Sequence, residues 1–337
     1  MCPPLPPDDL RLVVESVGPL WQRLAGCRVL FTGASGFFGS WMLESFLHAG
    51  TQLALPVRAL ALTRDRSRFS QSLPHLAADP RVEILESDAA TMPAPDGPVD
   101  FVIHSLFSPA PLAEMEEHFF SATARLLEIA SQKSARGCLL CSTGAVYKPT
   151  EESRPISEGH PRFERGDPLS YPRIRSGIED QWIGEGMRLG LPVTVARGFA
   201  FVGPRLPLDG QFAVGNFLRD ALLGRPITVH GDGRPVRSYL HAADLAARLW
   251  HLVLNGDPGG IFNVGGDRTI TVGDCASAVA RLVTPTLDVR ILSHDGRFSY
   301  YVPDTSRFDL AHGLPAPIPF SEALRRTWNW LQIKIRR

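Results

Sequence analysis

The sequence predicts a doubly wound α/β fold, a parallel sheet covered on both faces by helices, joined to a smaller α/β region toward the C-terminus. Three observations predict it. The stretch RVLFTGASGFFG, Arg28 to Gly39, runs an apolar strand (Val29, Leu30, Phe31) through Thr32 into glycines spaced Gly33-x-x-Gly36-x-x-Gly39, and Trp41 to His48 continue with helical apolar spacing. Strand-like and helix-like segments then alternate as far as Phe199, which demands right-handed crossovers and therefore parallel strands. Beyond Gly203-Pro204 the periodicity loosens into shorter pieces, as a second and smaller domain would. No repeat of fixed period interrupts this pattern.

The glycine turn lies between strand and helix, where a pyrophosphate rests on the helix N-terminus. Gly33 permits the tight turn, Gly36 lets backbone amides approach phosphate, and Gly39 lets the helix pack on the strand. The first domain is thus a Rossmann-type dinucleotide-binding sheet. Phe37 and Phe38, which open the helix, join the three glycines as candidate cofactor contacts.

Taken in order, residues 3 to 9 are proline-rich and are expected to be poorly ordered. DLRLVVESVGPLWQRLAG then reads as an amphipathic helix capped by Asp8 or Asp9 and broken near Gly18-Pro19. Strands follow at Pro56–Thr63, Val82–Leu85, Asp100–His104, Gly137–Ser142 and Pro192–Phe199, with helices at 66–80, Phe119–Ser131 and Ser170–Leu189 between them. Tyr147 to Asp167 is polar and proline-punctuated, a surface excursion. Toward the C-terminus, 211–224, 239–254, 271–284 and 320–332 suit helices, and 227–230, 261–264 and 288–292 suit short strands. Domain limits follow: an extension over 1–27, the dinucleotide domain over 28–203 and 238–265, and a substrate domain over 204–237 and 266–337.

Composition excludes several classes. The chain has 337 residues, 44% of them hydrophobic, so it can bury a large core in one or two domains. Lys plus Arg and Asp plus Glu both total 35, which gives no basic surface for nucleic acid. Lysine is scarce, confined to Lys133, Lys148 and Lys334. Cys138 and Cys141 fit C-x-x-C in form, but positions three apart on a strand face opposite ways, which argues against a redox or metal pair. No apolar run suits a membrane span and MCPPLPPDD lacks the order of a secretory signal, so a cytoplasmic protein with reduced thiols is expected. His104, His230 and His241 have no metal-ligand spacing, and no metal is expected.

In a parallel sheet ligands gather at the carboxyl ends of the strands, where Gly33, Arg64, Ser105 and Thr143 fall. The candidate catalytic set is Thr143, Tyr171 and Arg175. A phenol with a pKa of roughly 10 is too weak an acid to abstract protons easily near neutrality. A cation one helical turn later stabilises the phenolate, and a neighbouring hydroxyl orients the same substrate oxygen. The end of the second strand bears on the cofactor. An acid there would bind the ribose hydroxyls of NAD, an arginine the added phosphate of NADP, and Thr63-Arg64-Asp65 leaves both open.

From Arg28 to about Leu314 the chain resembles the extended short-chain dehydrogenase/reductases, specifically the nucleotide-sugar epimerase/dehydratase family. The resemblance rests on TGASGFFG at 32–39, STGAVY at 142–147, Tyr171-x-x-x-Arg175, RGFAFVGPR at 197–205, GDGRPVRSYLHAADLA at 231–246, FNVGG at 262–266 and YVPDTSR at 301–307. It implies an enzyme in which Tyr171 and the cation beside it act with a bound nicotinamide cofactor, NAD or NADP, that takes hydride from a sugar carbon. It also implies that Asp88 contacts the adenine and that Phe199 packs on the nicotinamide. Substrate contacts would come from Ser105 and Thr143, from Asn216 near the substrate diphosphate, and from Arg237 and Arg297, which match arginines that hold that diphosphate. A homodimer through 111–131 and 170–189 is implied too, although those apolar residues would serve equally to cover the sheet.

Two departures bear on the activity. Arg175 stands where the family has lysine; it stays cationic, but its fork is not interchangeable with an ammonium. Gly144 and Ala145 stand where related dehydratases and decarboxylases carry acids, so elimination lacks its proton shuttle, while hydride transfer at one carbon does not need it. The expected activity is a nucleotide-sugar 4-epimerase or 4-ketoreductase. A dehydratase- or decarboxylase-like enzyme, a non-sugar carbonyl reductase of the same fold, or a cofactor-binding protein whose chemistry Arg175 has retired are the alternatives.

Overall fold

A computed structural model describes residues 2–106, 110–150, 152–210, 212–283, 285–293 and 298–336. The chain divides into two compact units, Met1–Lys148 with Pro161–Gly198 and Ala246–Phe262, and Pro149–His160 with Phe199–Leu245 and Asn263–Arg337.

The first unit opens with helix α1 (Pro7–Val17) and a short 3-10 turn at Gly18–Leu24, then strand β1 (Arg28–Thr32) and α2 (Phe37–Gln52). β2 (Arg58–Thr63), α3 (Arg66–Ser72), α4 (Pro74–Ala77) and β3 (Val82–Glu86) come next. β4 (Phe101–His104), α5 (Leu112–Gln132), β5 (Gly137–Thr143), a 3-10 turn at Gly144–Val146, α6 (Tyr171–Arg188) and β6 (Val193–Gly198) complete the series. The second unit holds β7 (Ala200–Val202), α7 (Ala213–Leu222), β8 (Ile227–Val229) and β9 (Val236–His241). Then come α8 (Ala242–Asn255) and β10 (Gly260–Val264), whose residues are divided between the two units, and β11 (Thr269–Thr271), α9 (Val272–Ala280), β12 (Val289–Ile291), β13 (Tyr300–Tyr301), α10 (Ser306–His312) and α11 (Phe320–Arg336).

The main sheet has seven strands in the order β10-β6-β5-β4-β1-β2-β3, paired parallel from β6 to β3. Strand order reverses at β1, which lies between β4 and β2, so the carboxyl ends of β1 and β4 open the crevice where such sheets take ligands. Fully buried side chains on β1 (Val29, Leu30, Phe31), β4 (Phe101, Val102, Ile103) and β5 (Leu139, Leu140) leave no face of the sheet to solvent. In the second unit β9 pairs antiparallel with β11 and parallel with β13 and β7, while β8 and β12 form a parallel pair of their own.

Three sequence expectations change. Residues 3–9 are not loose: Leu5 is 2% exposed and its amide donates to Glu44 Oε1 at 2.8 Å, and Cys2 N donates to Ser72 O. Pro7 then starts α1, where its missing N–H costs nothing. The polar excursion after Tyr147 is not wholly a surface loop. Ile156 is buried and exchanges backbone bonds with Val302 and Asp304, which carries 149–160 into the second unit. Residues 199–203 and 238–245 also group there, because β7 and β9 pair with each other, and 239–241 is strand rather than helix.

The N-terminal turn is bound in by aromatic packing. Trp21 lies 5.0 Å from Trp250 on α8, and Trp250 stacks on Phe46 of α2 at 5.6 Å and donates its indole N–H to Ser45 Oγ. Each such pair adds about 0.5–1.5 kcal/mol beyond area burial.

Burial of histidines makes a pH prediction. Desolvation holds His104 and His241 down to about 3, so both stay neutral in the folded chain while their unfolded counterparts protonate near 6.5. A folded value below the unfolded one means stability is fully present above about pH 6.5 and is lost as pH falls toward 3. The melting temperature is expected to hold near pH 7 and fall steeply from pH 6 to 4, and His104→Gln to reduce that slope by about one proton.

Candidate active site

The glycine turn is built as the crevice requires. Gly33 has φ +64°, and a Cβ there would run into the backbone carbonyl of Ser105; one on Gly39 would meet the carbonyl of Gly33. Gly36, the N-cap of α2, has only Gly33 O near its Cβ direction, at 3.2 Å, so its outer side is open for close approach of a ligand. Phe37 and Phe38 follow at the helix start, half-buried, with ring centroids 5.8 Å apart.

The turn is tied to the end of β4. Ser105 Oγ donates to Thr32 O at 2.8 Å, its amide donates to Thr32 Oγ1, and Thr32 Oγ1 lies 2.8 Å from His104 Nδ1. The Ser105 hydroxyl proton is therefore committed to the backbone of β1. Part of the loop that follows, 107–109, lies outside the described residues.

At the end of β2, Arg64 is the first residue past the strand and is exposed, with no hydrogen bond or ion pair among the described residues. Asp65, the carboxylate next to it, is already in use: its Oδ1 accepts from Arg68 N at 2.8 Å as the N-cap of α3. Asp88 accepts from Ala90 N and lies 2.8 Å from His118 Nε2. Burial pushes its carboxyl up, but the Ala90 amide, His118 and the Arg64 charge outweigh that and hold it below the ordinary carboxylate range. His118 was not marked by the sequence, since its partner is 30 residues away on another element.

Tyr171 is the first residue of α6, which Ser170 caps by accepting from Arg173 N at 3.4 Å. Arg175 and Glu179 follow at i+4 and i+8, on the same face as Tyr171. That face meets β5 and the turn after it. Arg175 Nη2 donates to Cys141 O, its guanidinium lies 5.7 Å over the Phe119 ring, and Glu179 accepts from Ser142 Oγ. Thr143 ends β5 and its Oγ1 accepts from Ala145 N at 3.2 Å, which leaves the hydroxyl proton to give. Tyr171 is half-buried against the core beneath the sheet. Burial pushes the neighbouring Cys138 and Cys141 thiols up to about 12, inert as nucleophiles near neutrality.

Arg175 is 4% exposed, its Nε is buried without a hydrogen-bond partner, and it forms no ion pair among the described residues. A buried guanidinium in that state calls for an acceptor. With the open edge at Gly36, it makes the first unit fit a dinucleotide: the glycine turn would take its phosphates and Arg175 a polar group beyond them.

Within the second unit, Arg237 Nη1 donates to Val236 O and to both oxygens of Ser299, and the guanidinium lies 5.7 Å over Tyr301. Desolvation lowers its pKa, and it has no carboxylate partner among the described residues. Phe199 packs on the other side chain of that set, Tyr301, with ring centroids 4.6 Å apart and planes tilted by 32°. Asn216, in the first turns of α7, uses its amide locally, donating to Gly210 O and accepting from Arg219. Arg297 lies outside the described residues. Among the described residues no group of three or more His, Cys, Asp or Glu could hold a metal, and no helix is long and apolar enough to cross a membrane.

A buried network escaped the sequence altogether. Arg197 of β6 donates to both oxygens of Glu179, at 2.6 Å to Oε2, and through Nη1 to the hydroxyl of Tyr147 at 2.9 Å. Burial pulls the guanidinium's pKa down, but Glu179 and Tyr147 together hold it above its usual range. No local pattern joins positions 147, 179 and 197.

The family model described as "NAD dependent epimerase/dehydratase family" matches residues 29–265, from the first residues of β1 to just past β10. The chain belongs to that family. It is a family of enzymes, and its name agrees with the resemblance carried by the glycine turn and Tyr171. Among curated proteins the chain is 26% identical over 281 residues to UDP-glucuronic acid decarboxylase 1 of Arabidopsis thaliana, 78% of this chain and 60% of that one. The chain thus spans about three-fifths of that relative's length. Two solved structures share the fold: dTDP-glucose 4,6-dehydratase of Streptomyces venezuelae, solved with NAD (TM-score 0.77, 23% identity, 91% of this chain and 97% of that one), and UDP-glucuronic acid 4-epimerase of Bacillus cereus with NAD (TM-score 0.76, 19% identity, 91% and 99%).

Proposed function

We propose that the chain is an NAD(P)-dependent oxidoreductase of nucleotide sugars acting at a single carbinol carbon, a 4-ketoreductase or a 4-epimerase. The observation that carries this reading is the face of α6, where Tyr171 and Arg175 stand one turn apart against the strand end bearing Thr143, with no carboxylate at 144 or 145. A nicotinamide dinucleotide bound at the glycine turn supplies the hydride chemistry. Tyr171 passes a proton to or from the sugar oxygen, Arg175 stabilises the phenolate, and Thr143 donates to the same oxygen. Arg237, without a carboxylate partner, suits the substrate diphosphate, as does Arg297 by its sequence position.

The end of β2 favours NADP. Arg64, exposed and without a hydrogen bond or ion pair among the described residues, can pair with a phosphate, while the adjacent Asp65 is engaged in the cap of α3. Arg64→Ala is expected to weaken NADP binding about tenfold or more and to leave NAD binding within about twofold, read by titration with each dinucleotide. Equal losses for both would remove the preference.

The function is tested by incubating the purified chain with NADP+ or NAD+ and a panel of UDP- and dTDP-hexoses, following absorbance of the reduced nicotinamide and the sugar by NMR. Turnover at C4 without loss of water or carbon dioxide supports the proposal. The likeness to UDP-glucuronic acid decarboxylases favours a second reading. Release of carbon dioxide from UDP-glucuronic acid would select it, despite Ala145.

A further inference from the structure

Along α6, the residues at Tyr171, Arg175 and Glu179 form one stripe, and the first two belong to the proposed chemistry. The third carries a carboxylate that is 1% exposed, paired with an arginine that is 2% exposed. Ordinary packing would accept apolar residues in their place at little cost, so a buried pair of this kind is a weak argument for stability and a better one for geometry.

What the pair holds is specific. Glu179 accepts from Ser142 Oγ directly, and through Arg197 it reaches the hydroxyl of Tyr147. Ser142 and Tyr147 are the two ends of the corner that carries Thr143. The corner's other ties are Ala145 N to Thr143 Oγ1 and Tyr147 N to Gly144 O, both at 3.2 Å, Phe163 N to Val146 O at 2.8 Å, and the register of Thr143 with Gly198 on β6. Of these ties only those through Glu179 join both ends of the turn to the helix that bears the tyrosine.

We infer that Glu179 is a positioning residue, which through Ser142 and the Arg197–Tyr147 pair sets where the Thr143 hydroxyl stands relative to Tyr171. The inference rests on the acid/base reading proposed above for those two residues. It assigns Glu179 no contact with substrate or cofactor.

The test is amide hydrogen exchange on the full chain, with and without NADP+, for Glu179→Gln and Ser142→Ala. Ser142→Ala removes one tie, keeps the ion pair and so preserves folding. Amides of 143–147 are expected to exchange about tenfold faster in both variants, while those of Leu30 and Ile103 in β1 and β4 stay as in the wild type. Turnover on whichever sugar the panel identifies is expected to fall in kcat by up to about 100-fold with KM for the dinucleotide unchanged. Uniformly faster exchange across the sheet, or no change at 143–147 in either variant, would overturn the inference, as would a loosened corner with unaltered kcat. If no sugar nucleotide is turned over by the wild type, the proposed function fails, and exchange at the corner still decides whether Glu179 holds it.

Discussion

Gly33→Ala is expected to abolish dinucleotide binding, with affinity for NADP and NAD down by about 100-fold or more. The residue has φ +64°, a conformation that costs an L-residue roughly 1–2 kcal/mol, and its new methyl would press on the carbonyl of Ser105. That carbonyl cannot retreat freely, because the Ser105 amide and hydroxyl are both bonded to Thr32. The turn itself must open, which moves the first amides of α2 off the phosphate position. Two lost charge-assisted bonds of about 1.5–3 kcal/mol each account for the magnitude. Titration calorimetry with NADPH measures it, and binding within threefold of wild type would refute it. Gly36→Ala separates the two roles of the motif: at φ −75° its Cβ meets only Gly33 O, at 3.2 Å, so the melting temperature should fall less than in Gly33→Ala while affinity still falls.

Much of this arrangement could be read from the chain because its signals are local. A strand, three glycines at fixed spacing and a helix lie within 25 residues, and the apolar runs of a buried parallel sheet stand out against polar connections. Tyr171 and Arg175 were legible for the same reason, since four residues on a helix is one turn. What stayed hidden depends on long separations. The tie from Leu5 to Glu44 spans 39 positions, and nothing in a proline-rich start foretells a buried leucine. The strands β7 and β13 are only three and two residues long, too short for periodicity to mark them. Glu179 carried no mark within the predicted helix Ser170–Leu189, since its partner Arg197 lies 18 residues away and its burial, 1% exposed, has no local sign. Its register with Tyr171 was visible, its burial was not.

Tyr171→Phe is expected to lower kcat by about 10²- to 10⁴-fold, the range for loss of a positioned acid/base, with dinucleotide affinity little changed. The ring stays packed on the core beneath the sheet, so the variant should fold, and a melting temperature within a few degrees of wild type would confirm that the loss is chemical. Activity within threefold of wild type would dismiss Tyr171 from the reaction. Arg175→Lys then asks what the guanidinium does. An ammonium is a point donor and does not match the guanidinium's contacts with both the Phe119 ring and Cys141 O, so the variant should be less stable but retain turnover within about tenfold. The opposite result, turnover present only in Arg175→Lys, would mean that the buried arginine serves binding alone. In that case the glycine turn and Arg64 would still hold their dinucleotide while Tyr171→Phe changed nothing, so the two substitutions together distinguish a working oxidoreductase from a cofactor-binding relative that has lost its chemistry.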